Sequence, residues 1–87
     1  MEFGLKGVYP NPFNNRFTAT FDIPNTGLVT AGIFDLNGRE VLKVINQSLQ
    51  AGNHQIGVSG ETLASGVYVF RVQNAGKVSQ MKIALVK

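Results

Sequence analysis

From Arg16 to Ile23 apolar and polar residues alternate without a break. Phe17, Ala19, Phe21 and Ile23 fall on one side, Thr18, Thr20 and Asp22 on the other. A period of two marks a half-buried strand with a specified register. Pro24-Asn25-Thr26-Gly27 reads as a turn. Leu28 to Asp35 is the next strand, with Val29, Ala31 and Ile33 as its inward set. Asn37-Gly38 suits a tight hairpin turn, because both residues tolerate positive φ. Glu40 to Asn46 returns as the partner strand. Its Val41, Leu42, Val44 and Ile45 do not alternate, so no inward face is assigned.

The same rhythm fills the rest of the chain. Gly52 punctuates a turn, and His54, Ile56 and Val58 share a face of a short strand. After a loop over residues 59–65, Gly66 to Gln73 reads as a strand with Tyr68, Phe70 and Val72 inward. Asn74-Ala75-Gly76 is a second hairpin turn. Val78 to Val86 closes the chain, with Met81, Ile83 and Leu85 inward and Gln80 and Lys82 outward. A short lead strand near Leu5 to Tyr9 completes a count of about seven, and no segment has helical periodicity. The predicted fold is an all-β, immunoglobulin-like antiparallel sandwich, one domain over residues 1–87 with residues 1–4 as lead-in or linker. Tyr68, near the start of a late strand and after a tight loop, fits a tyrosine corner. Its phenol is predicted to bond back to nearby backbone, because a buried hydroxyl needs a partner.

Tyr9-Pro10-Asn11-Pro12-Phe13 interrupts the pattern. Each proline fixes φ, removes a donor and biases the residue before it toward extended geometry. The segment is therefore a stiff corner, excluded from a helix or a central strand. Tyr9 and Phe13 are expected to anchor it on the core, with the Asn11 backbone outside.

Composition narrows the function. The chain has 87 residues, a hydrophobic fraction of 44%, a charged fraction of 15% and no cysteine. That is enough for one modest core, and it excludes disulfides and thiolate metal sites. No apolar run is long enough to span a bilayer, so direct membrane insertion is not expected. No signal-peptide pattern follows Met1, which predicts a domain belonging to a longer protein. The net charge of +3 is spread over single basic residues. Without a clustered phosphate-contacting face, nucleic acid is not an expected partner.

Candidate chemistry is sparse. His54 is the single histidine and has no identifiable nucleophile or orienting acid. It reads as a residue at the edge of the core. Asp35-Leu36-Asn37-Gly38 echoes the start of a calcium loop but lacks the later oxygen ligands and bidentate Glu. A turn explains it. Asn46-Gln47-Ser48 is a glycosylation sequon of a length that arises by chance. No catalytic, cofactor-binding or metal residues are assigned, and no cofactor is expected.

Four landmarks stand in order: Tyr9-Pro10-Asn11-Pro12-Phe13, Ile33 to Val41 around Asn37-Gly38, Ser65 to Val72 around Gly66-Val67-Tyr68, and the closing run Met81 to Lys87. Together they resemble the type A C-terminal sorting domains of the type IX (Por) secretion system, over Leu5 to Lys87. The resemblance implies a sorting signal carried by proteins of Bacteroidota and their relatives. An outer-membrane translocon and a cell-surface sortase would be its partners, with a passenger upstream. The route would run through the periplasm to the cell surface or the medium. Matched by position, Pro10, Asn11, Pro12, Lys82 and Lys87 would be the recognition residues, and Gly38, Gly66 and Tyr68 structural ones. The lead-in departs from a regular first strand at Gly4 and Gly7, which leaves that strand's length and pairing open.

Two other readings share parts of this pattern. Immunoglobulin-like domains related to flagellar hook-capping proteins resemble it in Pro-Asn-Pro-Phe and Gly-x-Tyr, but tend to carry a longer Trp-Asp-Gly loop. Here residues 57–63 are short and lack Trp. An accessory structural, adhesive or carbohydrate-binding module of a secreted enzyme would need an exposed aromatic platform for sugars. The aromatic residues here fall mostly at inward positions.

Overall fold

A computed structural model describes residues 2–87. Seven strands follow in chain order: β1 Gly4–Tyr9, β2 Arg16–Ile23, β3 Gly27–Phe34, β4 Glu40–Leu49, β5 Gly52–Ser59, β6 Gly66–Asn74 and β7 Lys77–Leu85. They form two antiparallel sheets, ordered β1-β2-β5 and β4-β3-β6-β7. The alternation in the sequence dictates this arrangement, because each sheet has one apolar face to hide and the other sheet is its cover.

The inward set is largely as the pattern predicts. Phe17, Phe21, Ile23, Val29, Ile33, Phe70, Val72, Ile83 and Leu85 are buried in one core. Phe17 meets Phe13 and Phe70 edge-on, at centroid distances of 4.8 and 5.4 Å. Tyr68 and Met81 are half-buried at the margin. His54 also sits at the margin, stacked 5.6 Å from the Phe21 ring with Nε2 2.6 Å from the Gln50 carbonyl.

β4 shows why its sequence does not alternate. Leu42 stands opposite Ile33 and Ile45 opposite Ala31, so both face inward although three residues apart. The register shifts between Ala31 and Gly32, and again between Ile33 and Phe34. Each shift inserts one extra β4 residue, which restores the facing at the cost of a bend. A similar shift between Leu5 and Gly7 lets the glycine-containing β1 pair along β2.

Both predicted hairpin turns are formed, and they differ in kind. Asn37-Gly38 lies in a loop closed by the Gly38 N–H donating to the Asp35 carbonyl at 3.0 Å and the Asp35 N–H donating to the Arg39 carbonyl at 2.9 Å. Asp35 Oδ1 accepts the backbone N–H of Asn37 and of Arg39, both at 2.9 Å, and Oδ2 lies 3.5 Å from Arg39 Nε. The side chain acts as an Asx cap inside the turn that those backbone bonds close. Gly38 alone there takes positive φ, at 88°. The second, at Ala75-Gly76, is a two-residue turn with both residues at positive φ (52° and 79°), as a type I′ hairpin requires.

Candidate functional site

β7 lies at the edge of its sheet, and an edge strand exposes a row of backbone donors and acceptors. The Tyr9–Phe13 corner covers that row. Asn11 Nδ2 donates to the Lys82 carbonyl at 3.0 Å, and Asn11 Oδ1 accepts the Ala84 N–H at 3.1 Å. A primary amide carries one donor and one acceptor side by side, as a neighbouring strand's peptide group would. Phe13 continues the pairing with its backbone. Its N–H donates to the Ala84 carbonyl at 2.8 Å, and its carbonyl accepts the Val86 N–H at 2.9 Å. Phe13 thus bridges Leu85 in parallel.

The corner is held unequally along its length. Phe13 is 1% exposed, and burying a Phe side chain is worth about 1.5–3 kcal/mol. Gly60 makes room for it: a Cβ there would stand 2.9 Å from Phe13 Cε2 and 3.6 Å from Leu85 Cδ2. Pro10, Asn11 and Pro12 remain at the surface, and the bonds Tyr9-Pro10 and Asn11-Pro12 are cis. Tyr9 corrects an expectation. It is 79% exposed and anchors nothing, because the strand facing of β1 turns it outward and Phe13 alone fills the space beside Phe17.

The loop between β5 and β6 joins the same cluster. The Gly60 N–H donates to the Asn15 carbonyl at 2.8 Å. Lys87 Nζ donates to the Glu61 carbonyl at 2.9 Å, and the Lys87 N–H to Ser65 Oγ at 3.1 Å. Ser65 opens one of the four sequence landmarks, but nothing in the sequence pattern pointed to Gly60 or Glu61. A glycine wedged under a ring looks like any turn glycine until the ring is placed.

Each sequence-predicted position can now be located. Asn11 and Lys87 are both tied down. Lys82 extends from the outer face of β7, opposite Val69. Lys6, Arg39 and Lys43 each pair with a carboxylate, whereas among the described residues Lys82 takes part in no ion pair. Gly66 opens β6 opposite Leu85. Tyr68 forms the expected corner, its hydroxyl donating to the Ala64 carbonyl at 2.5 Å. Gly38 belongs to the β3–β4 loop and lies outside this cluster. The cluster is held by hydrogen bonds and by the packing of Phe13 against Phe17, Gly60 and Leu85.

An antiparallel sandwich with a tyrosine corner and a covered final strand defines the class. The chain belongs to the secretion system C-terminal sorting domain family, whose model matches residues 7–87. No curated protein matches it. The domain is accordingly a C-terminal sorting signal for type IX secretion, which directs export to the cell surface or the extracellular space. The adhesive and hook-capping readings are not favoured.

Proposed function

We propose that the export machinery reads this domain at the place where the Pro10–Pro12 corner meets the end of β7. The reading rests on one observation above all. The Asn11 amide binds the backbone on both sides of Ile83, so two landmarks far apart in sequence form one surface. Pro10, Pro12 and Lys82 offer contacts there. Asn11 and Lys87 act through the backbone and loop they hold. An outer-membrane translocon and a cell-surface sortase are the partners in this reading, and a passenger precedes residues 5–87 in the full protein. The passenger crosses the periplasm in transit. The domain contributes recognition and no catalysis.

The test is a fusion of residues 2–87 behind a signal peptide and a fluorescent reporter, in a bacterium that has this export route. The intact fusion should reach the surface or the medium. A fusion lacking its last residues, or carrying Lys82→Glu and Lys87→Glu, should stay folded and accumulate in the periplasm. The Lys82 charge is exposed and adds little to stability, and a melting curve of each fusion checks the loop that Lys87 holds, so loss of delivery without loss of fold isolates the recognition step. Periplasmic retention of the intact fusion, or equal export of the altered ones, would sink the proposal.

A further inference from the structure

The outer face of the four-stranded sheet differs between its two ends. At the end beside the corner, Val67 stands opposite Ala84, and Val69 stands between Lys82 of β7 and Phe34 of β3. Val67 is 47% exposed and Val86 57%. These residues alternate with the buried Phe70, Ile83 and Leu85, so they share the outer face. The result is an apolar centre with the ammonium of Lys82 beside it. Arg71 adds a second positive charge, its guanidinium 4.2 Å from the Phe34 ring centroid and its Nε donating to Gln80 Oε1 at 2.9 Å. Glu40, opposite Phe34, is engaged by Lys43 at 2.9 Å.

The backbone under this face is fixed in advance. Asn11 clamps Lys82 and Ala84, and the Lys87 N–H is bonded to Ser65. β6 and β7 pair from Gly66–Leu85 to Asn74–Lys77 with no register shift. A surface whose side chains are pre-positioned loses little conformational freedom on binding. Apolar residues at the centre, with Lys82 in no ion pair among the described residues and Arg71 held on Phe34 and Gln80, match a partner of the opposite electrostatic sign.

We propose that Val67, Val69, Ala84 and Val86, with Lys82 and Arg71, form the docking face for a protein partner that presents carboxylates around an apolar centre. This rests on the sorting function above and names the face and the chemistry of what reads it. Asn11 and Phe13 of the corner hold the face in shape, and Pro10 and Pro12 border it.

The experiment uses the same reporter fusion and changes the face at single positions. Val67→Asp places a like charge against the proposed acidic partner and should cut export about tenfold or more. Val67→Lys loses the same apolar contact without the repulsion and should be exported better than Val67→Asp. Leu28→Asp and Val78→Asp are controls, since those residues are 59% and 54% exposed near the sheet's other end. Both should be exported like the unaltered fusion. Lys82→Arg should retain export, and Lys82→Glu should lose it. Each variant's melting curve guards against misfolding, and the Lys82 pair carries the test if Val67→Asp does not fold.

If the unaltered fusion is exported and Val67→Asp matches it, the docking face is wrong while the sorting function stands. If the unaltered fusion is not exported, both fall. Two further outcomes would overturn the proposal by assigning the face elsewhere. One is sedimentation of the isolated chain with phosphatidylglycerol vesicles that Val67→Asp abolishes. The other is a dimer in analytical ultracentrifugation that the same substitution dissociates.

Discussion

The two lateral sides of the sandwich manage their edge strands in different ways. On one side β4 and β5 are the edges. β4 carries two bulges, the charged Glu40 and Lys43, and the polar run Asn46-Gln47-Ser48. Bulges and charges blunt an edge locally, so nothing from elsewhere in the chain is needed to cover it. On the other side β7 is regular along its whole pairing with β6. A regular edge is a template for pairing, and here it is covered from a distance by residues 11–13. The Leu5 N–H adds a bond to Ser79 Oγ at 2.9 Å. A bulge would re-aim every outward side chain beyond it. Covering the edge with a corner keeps the register, and so keeps Lys82 and Ala84 at fixed places on one face. The strand that ends in the closing run Met81 to Lys87 is the edge whose register is kept regular.

The largest way to break this contrast is to remove the buried anchor. Phe13→Ala should destabilise the domain by about 3–5 kcal/mol, from lost burial plus the cavity left beside Phe17 and Gly60. Val44→Ala, at a half-buried bulge position on the opposite side, should cost about 1 kcal/mol or less. Urea denaturation of both variants gives the comparison. Equal costs would mean that the corner is a surface ornament and the two sides are alike.

Asn11→Ala tests the outer part of the corner with the anchor left in place. Two hydrogen bonds at an exposed site should be worth about 1–2 kcal/mol together, since water replaces part of what is lost. Asn46→Ala in β4 is the matching change on the other edge and should fall within about 0.5 kcal/mol of wild type. Amide hydrogen exchange at Ala84 offers a sharper reading. That N–H should exchange faster in Asn11→Ala while the Val86 N–H, held by Phe13, stays protected. Unchanged protection at Ala84 would show that the Asn11 amide is not its partner in solution.

These contrasts also explain what the sequence alone discloses. Strand facing is a local property, and the alternation of β2, β3, β6 and β7 placed Phe21, Ile33, Phe70 and Ile83 correctly in the core. The broken alternation of Val41 to Ile45 was itself a signal, because two inward residues three apart require a bulge. Turn type was less legible. The Asp35 carboxylate caps the turn that holds Asn37-Gly38, and only Gly38 of that pair takes positive φ. The corner was recognisable as rigid from its prolines. Its target was not, because Asn11 meets residues more than 70 positions away and no periodicity links them. Tyr9 and Phe13 looked equivalent for the same reason, and only the pairing of β1 turns one outward.

The smallest expected effect concerns the charges of β4. Lys43 Nζ donates to Glu40 Oε1 at 2.9 Å, and this hydrogen bond, followed by the charge attraction, raises the ammonium pKa above its ordinary value of 10.5. A raised folded-state pKa stabilises the fold fully below the unfolded value and loses that contribution as pH rises through the folded one. The window therefore lies at strongly alkaline pH. Lys43 is fully exposed, so solvent and salt screen the pair even where it is formed. Lys43→Met should leave the melting temperature unchanged between about pH 5 and 9, a span in which an ordinary lysine stays charged. Its effect should appear instead in association, because the substitution replaces an edge charge with an apolar side chain on an uncovered strand. Sedimentation velocity at rising concentration should show self-association in Lys43→Met and none in wild type. A lowered melting temperature with no association would mean that the β4 charges stabilise the fold directly, and the division between a self-guarded edge and a covered one would fail there.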